Sequence, residues 1–197
     1  VFETARLLLR PYEPTDAQAF FALLDQSRER LSASFPDRLR AVPTLAAAPA
    51  QLAAFADDWR AGRFYVFGIW RRDTGAYIGD ICLMPQRHGQ AEIGYYLAIE
   101  AQGHGFAREA LAAVCRFGFG RIVEAQRLLI RCFADNERAQ AVARALGFTP
   151  QGPEKPEQPA WLRLSFWESR PPQPPILHFV RHWAAGDREE LPVSNVQ

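Results

Sequence analysis

Apolar residues recur along this chain in two alternating periods. Residues 6–11 (RLLLRP) form a short apolar run closed by Pro11 and Pro14, which predicts a first strand. Thr15-Asp16-Ala17-Gln18 reads as a capping box ahead of a helix that carries Ala19, Phe20, Leu23 and Leu24 on one face. Pro36, Pro43 and Pro49 then break residues 27–49 into short helices and loops. Helical spacing resumes over residues 51–60 through Leu52, Phe55 and Trp59, and Gly62 ends it.

Strand periods follow. Residues 65–71 and 77–84 predict a hairpin about the turn Arg72-Asp73-Thr74-Gly75. Residues 90–99 (QAEIGYYLAI) predict another strand, with Gly94 as the place for a bend or bulge. Gln102-Gly103-His104-Gly105-Phe106-Ala107 then opens a helix running to about Arg121, with Phe106, Ala110, Leu111, Val114 and Phe117 on one face. Residues 127–133 (RLLIRCF) predict a buried strand, and residues 136–146 a helix stopped by Gly147. Beyond Phe148 lie a proline-rich connection over 150–159, strand candidates at 161–168 and 176–183, and a stiff PPQPP link at 171–175 between them. No repeat is present. The pattern predicts one α/β (α+β) domain over residues 1–185 around a mixed sheet, and a mobile polar tail at 186–197.

Composition narrows the function classes. With 23 Lys plus Arg against 22 Asp plus Glu, the net charge of +1 gives no bulk attraction to nucleic acid or to an anionic membrane. No apolar run approaches the length of a membrane span, and the first residues carry no basic region followed by an apolar block, so cytoplasm is the expected location. Cys82, Cys115 and Cys132 are odd in number, lack metal spacing and sit in apolar stretches, which reads as buried free thiols. His88, His104, His178 and His182 show no metal pattern.

The strongest chemical signal is the strand, then QGHGFA, then the helix. A helix start offers unpaired N–H groups and partial positive charge, which suit a diphosphate. Glycine at 103 and 105 lets the backbone approach phosphate oxygens, and small Ala107 lets the turn sit against the sheet. A dinucleotide fingerprint beginning at Gly103 would place its last glycine where Arg108 stands, and a Gly-Lys-Ser/Thr ending is absent. From the loop alone, a phosphate cradle and a turn without a ligand are about equally compatible.

The flanks supply more. Residues 91–111 (AEIGYYLAIEAQGHGFAREAL) closely resemble the cofactor-binding strand, pyrophosphate loop and helix of the GNAT acyltransferases. Gln102, Gly105 and Ala107 match that superfamily's Q/R-x-x-G-x-G/A signature. Asn136 followed by VARALGF (142–148) is similar to the N-x-x-S…V-A-E-K-L-G-F helix of the branch that acetylates N-terminal amines of ribosomal proteins. The opening TARLLLRPYEPTDA is similar to that branch's first strand and helix. The resemblance spans about residues 3–148.

It implies a GNAT-like central mixed, mostly antiparallel sheet flanked by helices, in which the parallel strands 90–99 and 127–133 splay apart around the cofactor, acetyl-CoA. It also implies that Gln102 and the amides of Gly103, His104, Gly105, Phe106, Ala107 and Arg108 hold the pyrophosphate. The backbone of Leu97 would pair with the pantetheine arm or polarise the thioester carbonyl, and Asn136 would hydrogen-bond the arm or simply cap its helix. The activity implied is direct acetyl transfer to a primary amine, either a protein N-terminus or a small molecule, by a monomer or homodimer. A non-catalytic acyl-CoA-binding regulatory module is the alternative.

Glu92 is the first choice of base, working through water, against the plainer reading of a solvated charge at a strand start. Strand alternation puts Glu92, Gly94 and Tyr96 on one face, so Tyr96 is a candidate catalytic partner or acceptor-site wall, against the plainer reading of ordinary core packing. Where the branch has a serine proposed as proton donor, this chain has Ala139. Residues 27–62 and the final strands would shape the acceptor site. The aromatics Phe35, Trp59, Phe64, Tyr65, Trp161 and Trp167 there line a pocket or fill core.

Overall fold

The computed structural model describes residues 1–151 and 174–188. The strands are β1 (Phe2–Glu3), β2 (Leu7–Arg10), β3 (Tyr65–Arg71), β4 (Tyr77–Gln86), β5 (Gln90–Leu97), β6 (Arg127–Phe133), β7 (Thr149–Gln151) and β8 (Ile176–His182). They form a single sheet ordered β1-β2-β3-β4-β5-β6-β8-β7, antiparallel except where β5 runs parallel to β6. The helices are α1 (Ala17–Gln26), α2 (Arg28–Leu31), α3 (Pro36–Ala41), α4 (Ala48–Arg60), α5 (Phe106–Phe119) and α6 (Glu137–Ala145).

Alternating side chains split the core between the two faces of the sheet. Ile93, Leu97 and Ile130 pack with Phe106, Leu111, Val114 and Phe117 of α5. Val66, Cys82 and Tyr96 pack on the other face with Phe20, Leu24, Leu52 and Phe55 of α1 and α4. The five apolar positions predicted along α5 are all buried. Trp59 and Tyr65 meet Phe67 and Phe117 edge to face, so both are core residues and not pocket walls.

Several expected boundaries move for local reasons. A two-residue strand, β1, precedes the predicted first strand and pairs with it. The capping box lies two residues earlier than expected. Asp16 accepts the Glu13 amide at 2.7 Å, and Pro14–Asp16 forms a 3-10 turn before α1, because Pro14 already fits a first helical position. β5 ends at Leu97, since Ile99–Ala101 winds into a 3-10 turn. The register shift in the sheet falls between Ile69 and Trp70, not at Gly94. Within the predicted polar tail, Asp187 pairs with Arg181 and accepts the Ala184 amide, anchoring a short 3-10 turn; residues 189–197 lie outside the described residues. The strand expected over 161–168, Trp161 and Trp167 among it, also lies outside them, as does most of the PPQPP link.

The feature that positions the site is a divergence of two strands. β5 pairs with β6 only from Gln90↔Arg127 to Ile93↔Ile130. Beyond that point β5 follows β4 as far as Leu97, while β6 follows β8 as far as Phe133. A gap therefore opens between residues 94–97 and 131–133.

Candidate functional site

The loop after β5 is exposed from Gly103 to Gly105, and both glycines hold left-handed backbone, with φ of 81° and 79°. A Cβ on Gly103 would meet nothing within 4 Å, so positive φ is what selects glycine there. Gly105 is the N-cap of the fourteen-residue α5 and offers no capping side chain. Among the described residues, the amides of Gly103, His104, Gly105, Phe106, Ala107 and Arg108 have no hydrogen-bond acceptor, and the first amide to find one is that of Glu109, which bonds to the Gly105 carbonyl. Six consecutive unused donors at a helix start form an anion cradle.

A brace of side chains fixes this cradle. Arg6 donates to the His104 carbonyl at 2.8 Å and to Glu109 Oε2 at 2.7 Å, and its guanidinium lies 4.7 Å from the Phe106 ring centroid. Burial works against the Glu109 charge, but the Thr4 hydroxyl and Arg6 overcome it and hold its carboxyl below the usual range. Gln102 accepts a hydrogen bond from Arg138 at 3.0 Å, which ties the loop to the first turn of α6.

The opening between β5 and β6 belongs to a cavity of about 760 Å³. Ile93, Tyr95 and Cys132 of the strands line it with Asn136 and Ala139 at the start of α6, and Phe35, Arg38, Phe55, Asp58 and Phe64 line it from the side of α3 and α4. Asn136 caps α6, its side chain accepting the Ala139 amide at 3.1 Å. Ala139 lines the cavity and brings only a methyl group to it. The Ala98 amide bonds to the Ile78 carbonyl, so alternation turns the Leu97 amide and carbonyl toward the gap. Arg30 already occupies that carbonyl at 2.8 Å, which leaves the amide as the Leu97 group on offer.

Glu92 lines the same cavity on the face that alternation predicts. Its carboxylate accepts Arg131 at 2.7 Å and Gln86 at 2.9 Å, so it is an engaged carboxylate and not a free solvated charge. Tyr96 shares that face but is buried, and its hydroxyl donates to Asp80 at 2.9 Å. Burial first, and then the Asp80 charge, push the Tyr96 hydroxyl well up, so it stays protonated.

Asp80 and Arg38 form a buried ion pair beside the cavity that sequence reasoning missed. Asp80 is fully buried, both its oxygens face Arg38 Nη1, and Tyr12 adds a hydrogen bond at 3.0 Å. Burial works against the Arg38 charge, yet Asp80 carries its pKa well above the ordinary value. The available signal was a lone aspartate inside the apolar strand YIGDICLM, which demands a buried partner. All three cysteines are free and buried, and burial raises each thiol, that of Cys82 to about 11, which makes them poor nucleophiles. No helix among the described residues is long and apolar enough to cross a membrane, and no cluster of metal-ligating side chains occurs among them.

Residues 6–149 match the sequence profile of the Acetyltransferase (GNAT) domain. The uncharacterized N-acetyltransferase YoaA of Bacillus subtilis (strain 168) is 32% identical over 154 residues, covering 77% of this chain and 84% of the relative. The ribosomal-protein-S5-alanine acetyltransferase of Vibrio fischeri superposes with a TM-score of 0.75 at 20% identity, over 92% of this chain and 95% of that one. RimL, a ribosomal L7/L12 α-N-protein acetyltransferase solved with coenzyme A, gives a TM-score of 0.73 at 20% identity, over 91% and 95% of the two chains. At such identities these two structures speak for the fold.

Proposed function

The chain belongs to the GNAT acetyltransferase domain family, with acetyl-CoA as its cofactor, and we propose that it moves the acetyl group directly to a primary amine, on a protein N-terminus or a small molecule. The observation that carries this reading is the row of unused amides from Gly103 to Arg108, set at the end of the strand that diverges from β6. These residues fit the cofactor: a cradle with no side chain at 103 or 105 suits a diphosphate, and Arg6 and Arg138 add positive charge beside it.

When bound, acetyl-CoA supplies an activated thioester. The chain's own residues do the rest. The loop amides would hold the diphosphate, the Asn136 side chain, whose Oδ1 caps α6, would serve the arm, and the Leu97 amide would be the donor for the arm or the thioester carbonyl. Glu92 takes the proton of the attacking amine through water, since a nitrogen must be neutral to attack. An α-amine, with an ordinary pKa of about 8, needs less of that help than a lysine at about 10.4. Arg131 orients the Glu92 carboxylate through an ion pair at 2.7 Å. Tyr96 acts at one remove, holding Asp80 and through it Arg38.

Thiol release from acetyl-CoA, measured over a panel of amines, tests the proposal. Acceptor-dependent release supports it. Tight acetyl-CoA binding without such release would instead mark a binding module, the role that Ala139 favours.

A further inference from the structure

The acceptor half of the cavity contains a cation whose donors the protein does not use up. The Arg38 side chain is only 6% exposed, with its Cζ 5.7, 5.0 and 5.8 Å from the ring centroids of Phe35, Phe55 and Tyr96. A guanidinium has five N–H groups in a fixed fork. Nη1 serves Asp80. Nε and Nη2 have no acceptor among the described residues, and neither is one of the polar atoms sealed away from solvent. Arg38 lines the cavity, so that edge is open to whatever occupies it.

We propose that Arg38 selects the acceptor, its Nε and Nη2 edge binding a carbonyl oxygen carried next to the reactive amine. The class served is then an α-aminoacyl amide, such as a peptide N-terminus, in preference to a plain alkylamine. This deepens the N-acetyltransferase reading and rests on it.

Charge decides which oxygen fits. Asp80 already balances the Arg38 charge, and Asp58 and Glu92 also line the cavity, so a second carboxylate would be repelled where a neutral carbonyl is not. Rigidity makes the selection effective. Three rings and Asp80 hold the fork in place, so an acceptor without the oxygen leaves its N–H groups unpaired.

The test compares alaninamide, alanine and isopropylamine as acceptors, with rates expressed per neutral amine. The expected kcat/KM for alaninamide exceeds that for isopropylamine by about 10- to 100-fold, the size of one hydrogen bond to a charged group, with alanine between them. Arg38→Lys keeps a charge opposite Asp80 but loses the fork, so the ratio should shrink below about 3-fold while the acetyl-CoA Kd stays put. Calorimetric binding of alaninamide to the CoA complex reads the same contact without turnover. The wild-type comparison stands even if the variant misfolds. Equal rates for alaninamide and isopropylamine, an unchanged ratio in R38K, or no alaninamide binding each overturns the proposal. Failure of the wild-type chain to bind acetyl-CoA would sink the acetyltransferase reading itself, and this inference with it.

Discussion

Replacing Gly105 by glutamate tests the phosphate cradle without touching the core. Gly105 is exposed at φ 79°, and its nearest neighbour to an added Cβ is Arg6 Nη2 at 3.4 Å, an ordinary contact with the end of a flexible side chain. The structural cost is therefore the left-handed backbone alone, about 1–2 kcal/mol. For a chain of this size that lowers Tm by about 2–8 °C and leaves it folded. The effect on the ligand should be far larger. A carboxylate about 4 Å from one phosphate charge, in a surface cleft of effective dielectric about 20, is repelled by about 4 kcal/mol, and halving that for salt leaves about 2. Acetyl-CoA Kd should then rise by about 30-fold. Gly105→Ala is the control, sharing the backbone cost without the charge. Calorimetric titration of acetyl-CoA into both variants, with Tm from thermal unfolding, separates the two effects. A folded G105E that binds within about 3-fold of wild type would refute the cradle.

Other outcomes follow from particular contacts. Glu92→Gln should lower kcat by about 100-fold with acetyl-CoA Kd unchanged, and unaltered turnover would remove Glu92 as the base. Asp80→Ala strands the buried Arg38 charge at a cost of about 3–5 kcal/mol, seen as a fall in Tm of about 6–20 °C. Alkaline pH should destabilise the fold. Burial raises Cys82 to about 11 and Cys115 to about 12, so below about pH 8.5 both states are protonated and stability is flat. Between about pH 9 and 11 the unfolded chain has lost thiol protons that the native state keeps, and stability falls by up to about 1.4 kcal/mol per pH unit for each thiol. Urea unfolding at pH 8.5 and pH 10 measures this, and a flat or rising stability would refute it.

Features set by neighbours in the chain were legible in the sequence. The glycine loop, the apolar stripe of α5, the strand over 127–133 and the Gly147 stop depend on residues within a turn or two, and the structure places each where the pattern does. Elements fixed by partners far away were not. β1 is too short to show a period and exists because Phe2 pairs with Leu9 and packs on Phe67 and Phe117. The short helices of residues 27–49 could be expected as a class. That α3 aims an arginine at an aspartate forty-two positions on could not. Likewise Tyr96 and Glu92 were assigned the same face by alternation, but nothing local distinguishes a tyrosine that serves a buried aspartate from one that serves a substrate.

The two halves of the candidate site are stabilised by different physics. At the donor end, backbone geometry does the work: amides left over by a helix start and by strands that part company, with side chains kept away by glycine. At the acceptor end, Tyr12 from the loop after β2 joins Arg38, Asp80 and Tyr96 from three separate elements in one buried polar cluster, which persists because its charges and hydroxyls find partners. An unpaired guanidinium edge inside such a cluster is costly unless water or an occupant completes it. The cluster therefore makes a poor ornament to the core and a good seat for an oxygen atom, and this is why acceptor choice is expected to follow Arg38 and not the loop that holds the cofactor.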